Sequence, residues 1–337
     1  MSQASALSDQ QPAPSLATLQ SLVAEDMGRV NDTILKYMDS RVPLVQELAK
    51  HVITAGGKRL RPMLTCASAR LLGTPTEEAI SLAATVEFIH TATLVHDDVI
   101  DESDMRRGQE SANHVWGNQA SVLVGDFLFS RAFQLMITAG SLEILKILSD
   151  ASAQIAEGEV LQLSTQHNLD TTTEMYYQVV QDKTSALFSA AMDVGIRIVG
   201  GSDEQIKAVQ DYGFYMGQAF QVMDDVLDYS ANQAKLGKSV GDDFAEGKVT
   251  LPLIHLAQKV RGEEAEFLAR TVTNHDQQAG DFESVQALMQ KYGILEACME
   301  EAYAFCDQGK AALDVLSPSD ARDALLETAD FFVRRDF

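Results

Sequence analysis

Disulfide scaffolding is excluded at the outset, because only three cysteines occur, Cys66, Cys298 and Cys306, without regular spacing. Their ordinary reading is as small core hydrophobes in a reducing cytoplasm. Basic charge is scarce as well: 26 Lys and Arg face 49 Asp and Glu, a formal net charge of -23. So acidic a chain is a poor partner for nucleic acid or anionic lipid, and an anionic substrate must be met by a local cluster of cations. Long hydrophobic runs are missing too. No stretch reaches the roughly eighteen apolar residues of a membrane span, and no basic segment followed by an apolar one opens the chain, so neither an integral membrane segment nor a signal peptide is expected.

Proline is absent over the whole interval from Pro75 to Pro252, and sustained alternation of β-branched residues is absent with it. A proline inside a helix costs about 3 kcal/mol, so this interval reads as successive helices. Gly73, Gly108, Gly140, Gly200 and Gly237 supply stops or loops. With 46% apolar residues the chain can bury a large core. The expected fold class is all-α: a single-domain helical bundle with a central active-site cavity. Residues 1–15, rich in Ser, Gln, Ala and Pro, read as a disordered tail, and residues 16–337 as one domain.

What is present is an acidic motif that occurs twice. The stretch L-V-H-D-D-V-I-D places Asp97 and Asp101 one helical turn apart, and Q-V-M-D-D-V-L-D-Y, which opens on Gln221, does the same for Asp224 and Asp228. Stacked like charges raise each other's pKa and strain a helix, so such pairs either face water or hold a hard cation. A solvated acidic face is the ordinary alternative. Against it stand the apolar neighbours Val95, Val99, Ile100, Val222, Val226 and Leu227, and the duplication itself. Two such helices facing each other suit a shared cluster of Mg²⁺, which takes a few carboxylates plus substrate phosphates. The implied substrate is a diphosphate.

Cations cluster around these motifs. T-A-G-G-K-R-L-R-P offers Lys58, Arg59 and Arg61 beside a glycine pair, although it also reads as a plain basic turn. His90 lies two turns before Asp97, where it can donate to a phosphate or serve as a satisfied core group. Arg106 and Arg107 follow the first motif and either hold a diphosphate or balance Glu102 and Asp104. Lys183 and Thr184 form a donor pair, and Lys238 and Lys248 flank Asp242 and Asp243.

These stretches resemble the trans-polyprenyl diphosphate synthase family, most closely its long-chain, octaprenyl-type members. The resemblance runs from about Asp26 onward through G-G-K-R-L-R-P, the first acidic motif, S-V-L-V-G-D-F-L-F, A-E-G-E-V-L-Q-L, D-K-T-S-A-L-F, the second acidic motif and G-D-D-F-A-E-G-K-V-T-L-P-L, in the family's order. It implies Mg²⁺-dependent head-to-tail condensation of isopentenyl diphosphate onto an allylic diphosphate such as farnesyl diphosphate, giving about C40 for a quinone side chain. By motif, Asp97, Asp101, Asp224 and Asp228 would hold Mg²⁺. Lys58, Arg61, His90 and Arg107 would hold isopentenyl diphosphate. Arg106, Lys183, Thr184, Gln221, Lys238 and Lys248 would hold the allylic diphosphate, Lys183 with a catalytic role. The departing diphosphate is the implied base.

In the family, product length depends on a tunnel along the first-motif helix. Ile89, Ala92 and Thr93 would line it, with Phe133 and Met136 as its floor. Ala92 stands where short-chain members carry an aromatic residue, which implies a long product. The resemblance further implies a homodimer, a cytoplasmic location and transient membrane contact through the product. Alternatives are a short-chain synthase, a terpene cyclase of the same fold, a non-catalytic regulatory subunit, and a metal phosphohydrolase built on His51 and His96-Asp97.

Overall fold

The computed structural model describes residues 16–54, 57–230 and 240–334. The expected tail, Gly237 and Lys238 lie outside the described residues. As expected, the architecture of the described residues is a bundle of helices; the strand structure among them is a two-residue-per-strand hairpin, Met105–Arg106 against Gln109–Glu110.

Helix Glu77–Ile100, the first acidic helix, is the axis of the bundle. Thr76 caps it by accepting from the Ala79 amide, and Glu77 and Glu78 in its first turn complement the helix dipole. It has almost no polar face. Leu82, Phe88, Ile89 and Ala92 are fully buried, and helices Ala24–Tyr37, Leu60–Arg70, Asn118–Thr138 and Ala186–Ile198 pack around it. A helix apolar on every side must be enclosed by others.

The second acidic helix, Asp203–Asp228, begins with a capping box between Ser202 and Gln205. It packs on Ala186–Ile198 and on Ile294–Ala312. Helix Ala186–Ile198 therefore touches both acidic helices, and Phe188 at its start meets Phe220 and Phe332 with ring centroids 5.8 and 5.7 Å away. Immediately before it, Gln181–Ser185 forms one π-helical turn, which joins helix Thr173–Val180 to Ala186–Ile198 without a break. Gly217 allows this turn to lie against the second acidic helix, since a Cβ there would stand 2.5 Å from the Ser185 Cα.

Among the described residues two helices are long and apolar enough to cross a membrane by length and composition, although neither is an unbroken run of eighteen apolar residues. They are Glu77–Ile100, with 72% of its apolar window buried, and Asn118–Thr138, with 39% buried. The first is the central core helix. The second packs one face on it and leaves Leu123, Phe133 and Ile137 exposed on the other.

Candidate active site

The first acidic helix ends in its own carboxylates. The Asp101 amide still donates to the Asp97 carbonyl at 2.8 Å, so Asp97, Asp98 and Asp101 crowd the negative end of the helix dipole. Three cations from three different segments answer them. Lys183, from the π turn, lies 3.6 Å from Asp97 and donates to Glu159 at 2.7 Å. Lys248 donates to Asp101 at 2.9 Å and also pairs with Glu246. Arg106, from the hairpin, donates through Nε to Asp98 at 2.6 Å.

These pairs are buried enough to displace their titrations. Burial opposes charge on Lys183 and Lys248, yet Asp97 and Glu159 in one case and Asp101 and Asp243 in the other outweigh it, and both lysines are held above the ordinary range. Burial and the nearby Asp97 push Glu159 up to about 7 against the pull of Lys183. Burial also raises Asp98, opposed by Arg106.

The second motif is arranged differently. Asp225 is fully buried and accepts from the Tyr176 hydroxyl at 2.6 Å and from Gln221 Nε2 at 2.8 Å. The Gln221 carbonyl oxygen accepts from the Thr184 hydroxyl at 3.0 Å. Thr184, expected to be a donor to phosphate, thus spends its hydrogen within the protein and turns lone pairs outward. Asp228 accepts from the Asp243 amide at 3.1 Å and stabilises the turn that follows; burial and Asp243 push it up to about 7. Asp224 contributes charge to Arg61, across the bundle. Lys183, Thr184, Gln221, Asp225, Asp243 and Lys248 all line one cleft of about 650 Å³.

A second cleft, of about 550 Å³, is lined by Asp98 and Arg106 themselves, with Gly57, Glu87, His90 and Arg107 in the same wall. The hairpin turn places Arg107 and Gly108 at φ 53° and 76°, both in the left-handed region required by the tightest two-residue hairpins. That turn lays the Arg107 guanidinium over Gly57, where a Cβ would stand 2.3 Å from Nη1. Arg59, at φ 49°, pins the basic turn to Asn31 and to the Ile53 carbonyl.

Arg61 donates to His90 Nε2 at 3.2 Å and stacks 4.2 Å from the Phe188 ring centroid. Burial, then Arg61, Arg107 and Arg106, depress His90 well below its ordinary pKa, so the ring is neutral. Its Nε2 accepts, which leaves only Nδ1–H as a donor to substrate. Lys58 sits 4.6 Å from the Phe331 ring centroid.

The donor set suits a hard cation, because Asp97 and Asp101 offer carboxylate oxygens already arranged around cationic heads. Among the described residues no three acidic, histidine or cysteine side chains converge as a cage, so a cation here needs further oxygens from a ligand.

Of the expected tunnel residues, Ile89 and Ala92 are fully buried, and Thr93 donates to the His90 carbonyl at 2.8 Å. Met136 is buried, but Phe133 is 43% exposed on the outer face of its helix, which corrects its placement on a tunnel floor. The phosphohydrolase alternative finds no constellation: His51 faces the Glu110 carbonyl at 2.9 Å, and His96 lies 3.2 Å from the Val122 carbonyl over Gly125. Glu87, Glu159 and Tyr176 received no role from the sequence. Glu159 stood in a quoted motif and had a signal; Tyr176 acquires its partner only by folding.

The comparisons with known proteins agree with this arrangement. The family model described as polyprenyl synthetase matches residues 42–289. The octaprenyl diphosphate synthase of Escherichia coli (strain K12) is 45% identical over 321 residues, covering 95% of this chain and 99% of that protein. The crystal structure of a polyprenyl synthase from Caulobacter crescentus CB15, complexed with calcium and isoprenyl diphosphate, superposes with a TM-score of 0.93 at 46% identity, covering 96% and 99% of the two chains. A decaprenyl diphosphate synthase from Rhodobacter capsulatus superposes with a TM-score of 0.92 at 48% identity, covering 96% and 100%. With its two acidic helices meeting over one π turn and a family match across most of its length, this chain belongs to the polyprenyl synthetase family and is a prenyltransferase.

Proposed function

We propose that this chain is a long-chain trans-polyprenyl diphosphate synthase that condenses isopentenyl diphosphate onto an allylic diphosphate, with farnesyl diphosphate as primer and about C40 as product. The observation that carries this reading is the convergence of both acidic motifs on the π turn. Lys183 answers Asp97 of the first motif, and the adjacent Thr184 is joined through Gln221 to Asp225 of the second.

The allylic diphosphate occupies the cleft of Lys183, Thr184, Gln221 and Lys248, with the two lysines as its donors; Arg106, assigned to it by the resemblance, lines the second cleft beside Asp98, and Lys238 lies outside the described residues. Asp97, Asp101, Asp224 and Asp228 would hold Mg²⁺, which would supply charge neutralisation to the diphosphate leaving group. Lys183 and Lys248, paired here with Asp97 and Asp101, are the cations within reach of the phosphate oxygens. The second cleft, with His90 and Arg107 in its wall and Arg61 bonded to His90, receives isopentenyl diphosphate without metal, and Lys58 is assigned to it by the resemblance. Its two arginines supply fork-shaped donors, and neutral His90 donates through Nδ1.

The two clefts share no lining residue, which keeps the two anions on different sets of cations. The nearly equal similarity to octaprenyl and decaprenyl enzymes supports a long product, and buried, small Ala92 supports an open path beside the first acidic helix. A homodimer is supported by the exposed apolar residues Leu123, Phe133 and Ile137 on one helix and Val160 and Leu163 on the next. The three unpaired, buried cysteines suit the cytoplasm.

The test is incubation of the purified chain with isopentenyl and farnesyl diphosphates, with and without Mg²⁺, followed by chromatography of the dephosphorylated product. A Mg²⁺-dependent ladder reaching about C40 is expected. No product would refute the reaction, and a stop at C15 or C20 would refute the chain length alone.

A further inference from the structure

The proposed reaction leaves one buried carboxylate of the second acidic motif without a task. Asp225 is fully enclosed, and each of its oxygens is already engaged, Oδ2 by the Tyr176 hydroxyl at 2.6 Å and Oδ1 by Gln221 Nε2 at 2.8 Å. Although it stands inside the acidic motif, it is placed as an internal pin. We propose that Tyr176 is a positioning residue for the prenyl transfer: its hydroxyl fixes Asp225, which orients the Gln221 amide and, through it, the Thr184 hydroxyl at the allylic cleft. This inference rests on the function proposed above.

The polarity of the chain of bonds makes the argument. Both Asp225 oxygens accept, Oδ2 from the Tyr176 hydroxyl and Oδ1 from Gln221 Nε2, so Gln221 turns its carbonyl oxygen toward Thr184. Thr184 must then donate to that oxygen, at 3.0 Å, and present its lone pairs to the cleft, where they favour the positive charge that develops on the allylic carbon and leave the phosphate oxygens to the lysines. Were Asp225 free to swing away, the Gln221 amide could reverse, and Thr184 would present a hydrogen instead. Tyr176 removes that freedom. It also ties the ends of the assembly together, because Tyr176 and Thr184 flank the start of the π turn on one continuous helix while Gln221 and Asp225 are one turn apart on another. Four side chains thus form a closed loop between two helices, and all four line the same cleft.

A buried Tyr–Asp bond that only stabilised the fold would lower the melting temperature and leave the reaction rate of the folded enzyme untouched. The two roles separate in a double-mutant cycle of the full chain assayed with isopentenyl and farnesyl diphosphates and Mg²⁺. Tyr176→Phe is expected to lower kcat roughly tenfold, the worth of one strong buried hydrogen bond at the reacting centre, with the KM for isopentenyl diphosphate unchanged. In the Gln221→Ala background the same substitution is expected to change kcat by less than about twofold, because the relay is already cut.

Turnover of Tyr176→Phe at the wild-type rate would overturn the proposal, and so would an equal tenfold loss in both backgrounds. Should Tyr176→Phe fail to fold by circular dichroism, Asp225→Asn replaces it in the cycle. That change keeps an acceptor for Tyr176 but confronts Gln221 with a donor, and the same loss, again absent in the Gln221→Ala background, is expected. A wild-type chain without turnover would overturn the reaction itself and this inference with it, an outcome separate from a wild-type chain that works and a variant that works equally well.

Discussion

Arg107 and Gly57 show how one side chain's position rests on another residue's lack of one. The hairpin turn forces Arg107 into the left-handed region, and the guanidinium then comes to rest where a Cβ on Gly57 would be. Gly57→Ala should push the guanidinium out of the cleft. The expected result is a rise of roughly tenfold in the KM for isopentenyl diphosphate, the worth of one displaced charged hydrogen bond, with the KM for the allylic substrate unchanged. Steady-state kinetics with each substrate varied in turn would check it, and equal effects on both would contradict the assignment of two separate clefts. At this scale the sequence was a good guide to cations and a poorer guide to partners. Lys183, Lys248 and Arg106 were legible as candidate phosphate ligands. That each faces a different carboxylate of the first motif was not, because those pairings join residues up to 147 positions apart. His90 and Thr184 were legible as polar groups in the right place, but which of their atoms is committed to the protein depends on neighbours that only packing supplies.

Among the elements, the π turn Gln181–Ser185 has the largest effect on the site. A single wide turn shifts the phase of the residues within it relative to the flanking helix, and such turns recur at functional positions. Here it delivers Lys183 to the first motif and Thr184 to the second. It can do so only because Gly217 lets the second acidic helix approach to contact distance. Gly217→Ala should force the two backbones apart and cost about 1–3 kcal/mol, the usual penalty for overpacking. It should also reduce kcat more than any surface glycine substitution does, as measured by denaturant unfolding and by turnover on the same preparation. A variant with lower stability and undiminished kcat would show that the close approach matters to the fold alone. Periodicity and the missing prolines made the helices legible, including their approximate ends at Gly73, Gly140 and Gly200. The hairpin was missed because two residues per strand leave no alternation to read, and the π turn was missed because its sequence is compatible with an ordinary helix.

For the molecule as a whole, the first acidic helix is the core and, under the proposed function, the measure of the product. It carries the first acidic motif at one end, and its buried flank includes Ala92 and Ile89 below that motif. Ala92→Phe adds a ring to a fully buried position, so a loss of about 1–3 kcal/mol is expected from overpacking. If the growing chain runs past this position, the product should fall from about C40 to the C15–C20 range while Mg²⁺ dependence is retained. Chromatography of the dephosphorylated products decides it, and an unchanged length would place the path on another face of the helix.

What the sequence determined by itself is the chemistry and the class of fold: helical period, the long proline-free interval, two acidic motifs with one spacing, and a few cations set against a large negative charge. These are local properties, written in neighbouring residues, and they hold however the helices are arranged. The tertiary structure alone decided which cation meets which carboxylate, that Asp225 is enclosed and Phe133 is not, and that the site has two clefts with separate linings, the Asp98–Arg106 pair belonging to one of them. Those outcomes depend on the approach of backbones distant in sequence, set by glycines, ring stacking and burial acting together. No short stretch of sequence contains that information.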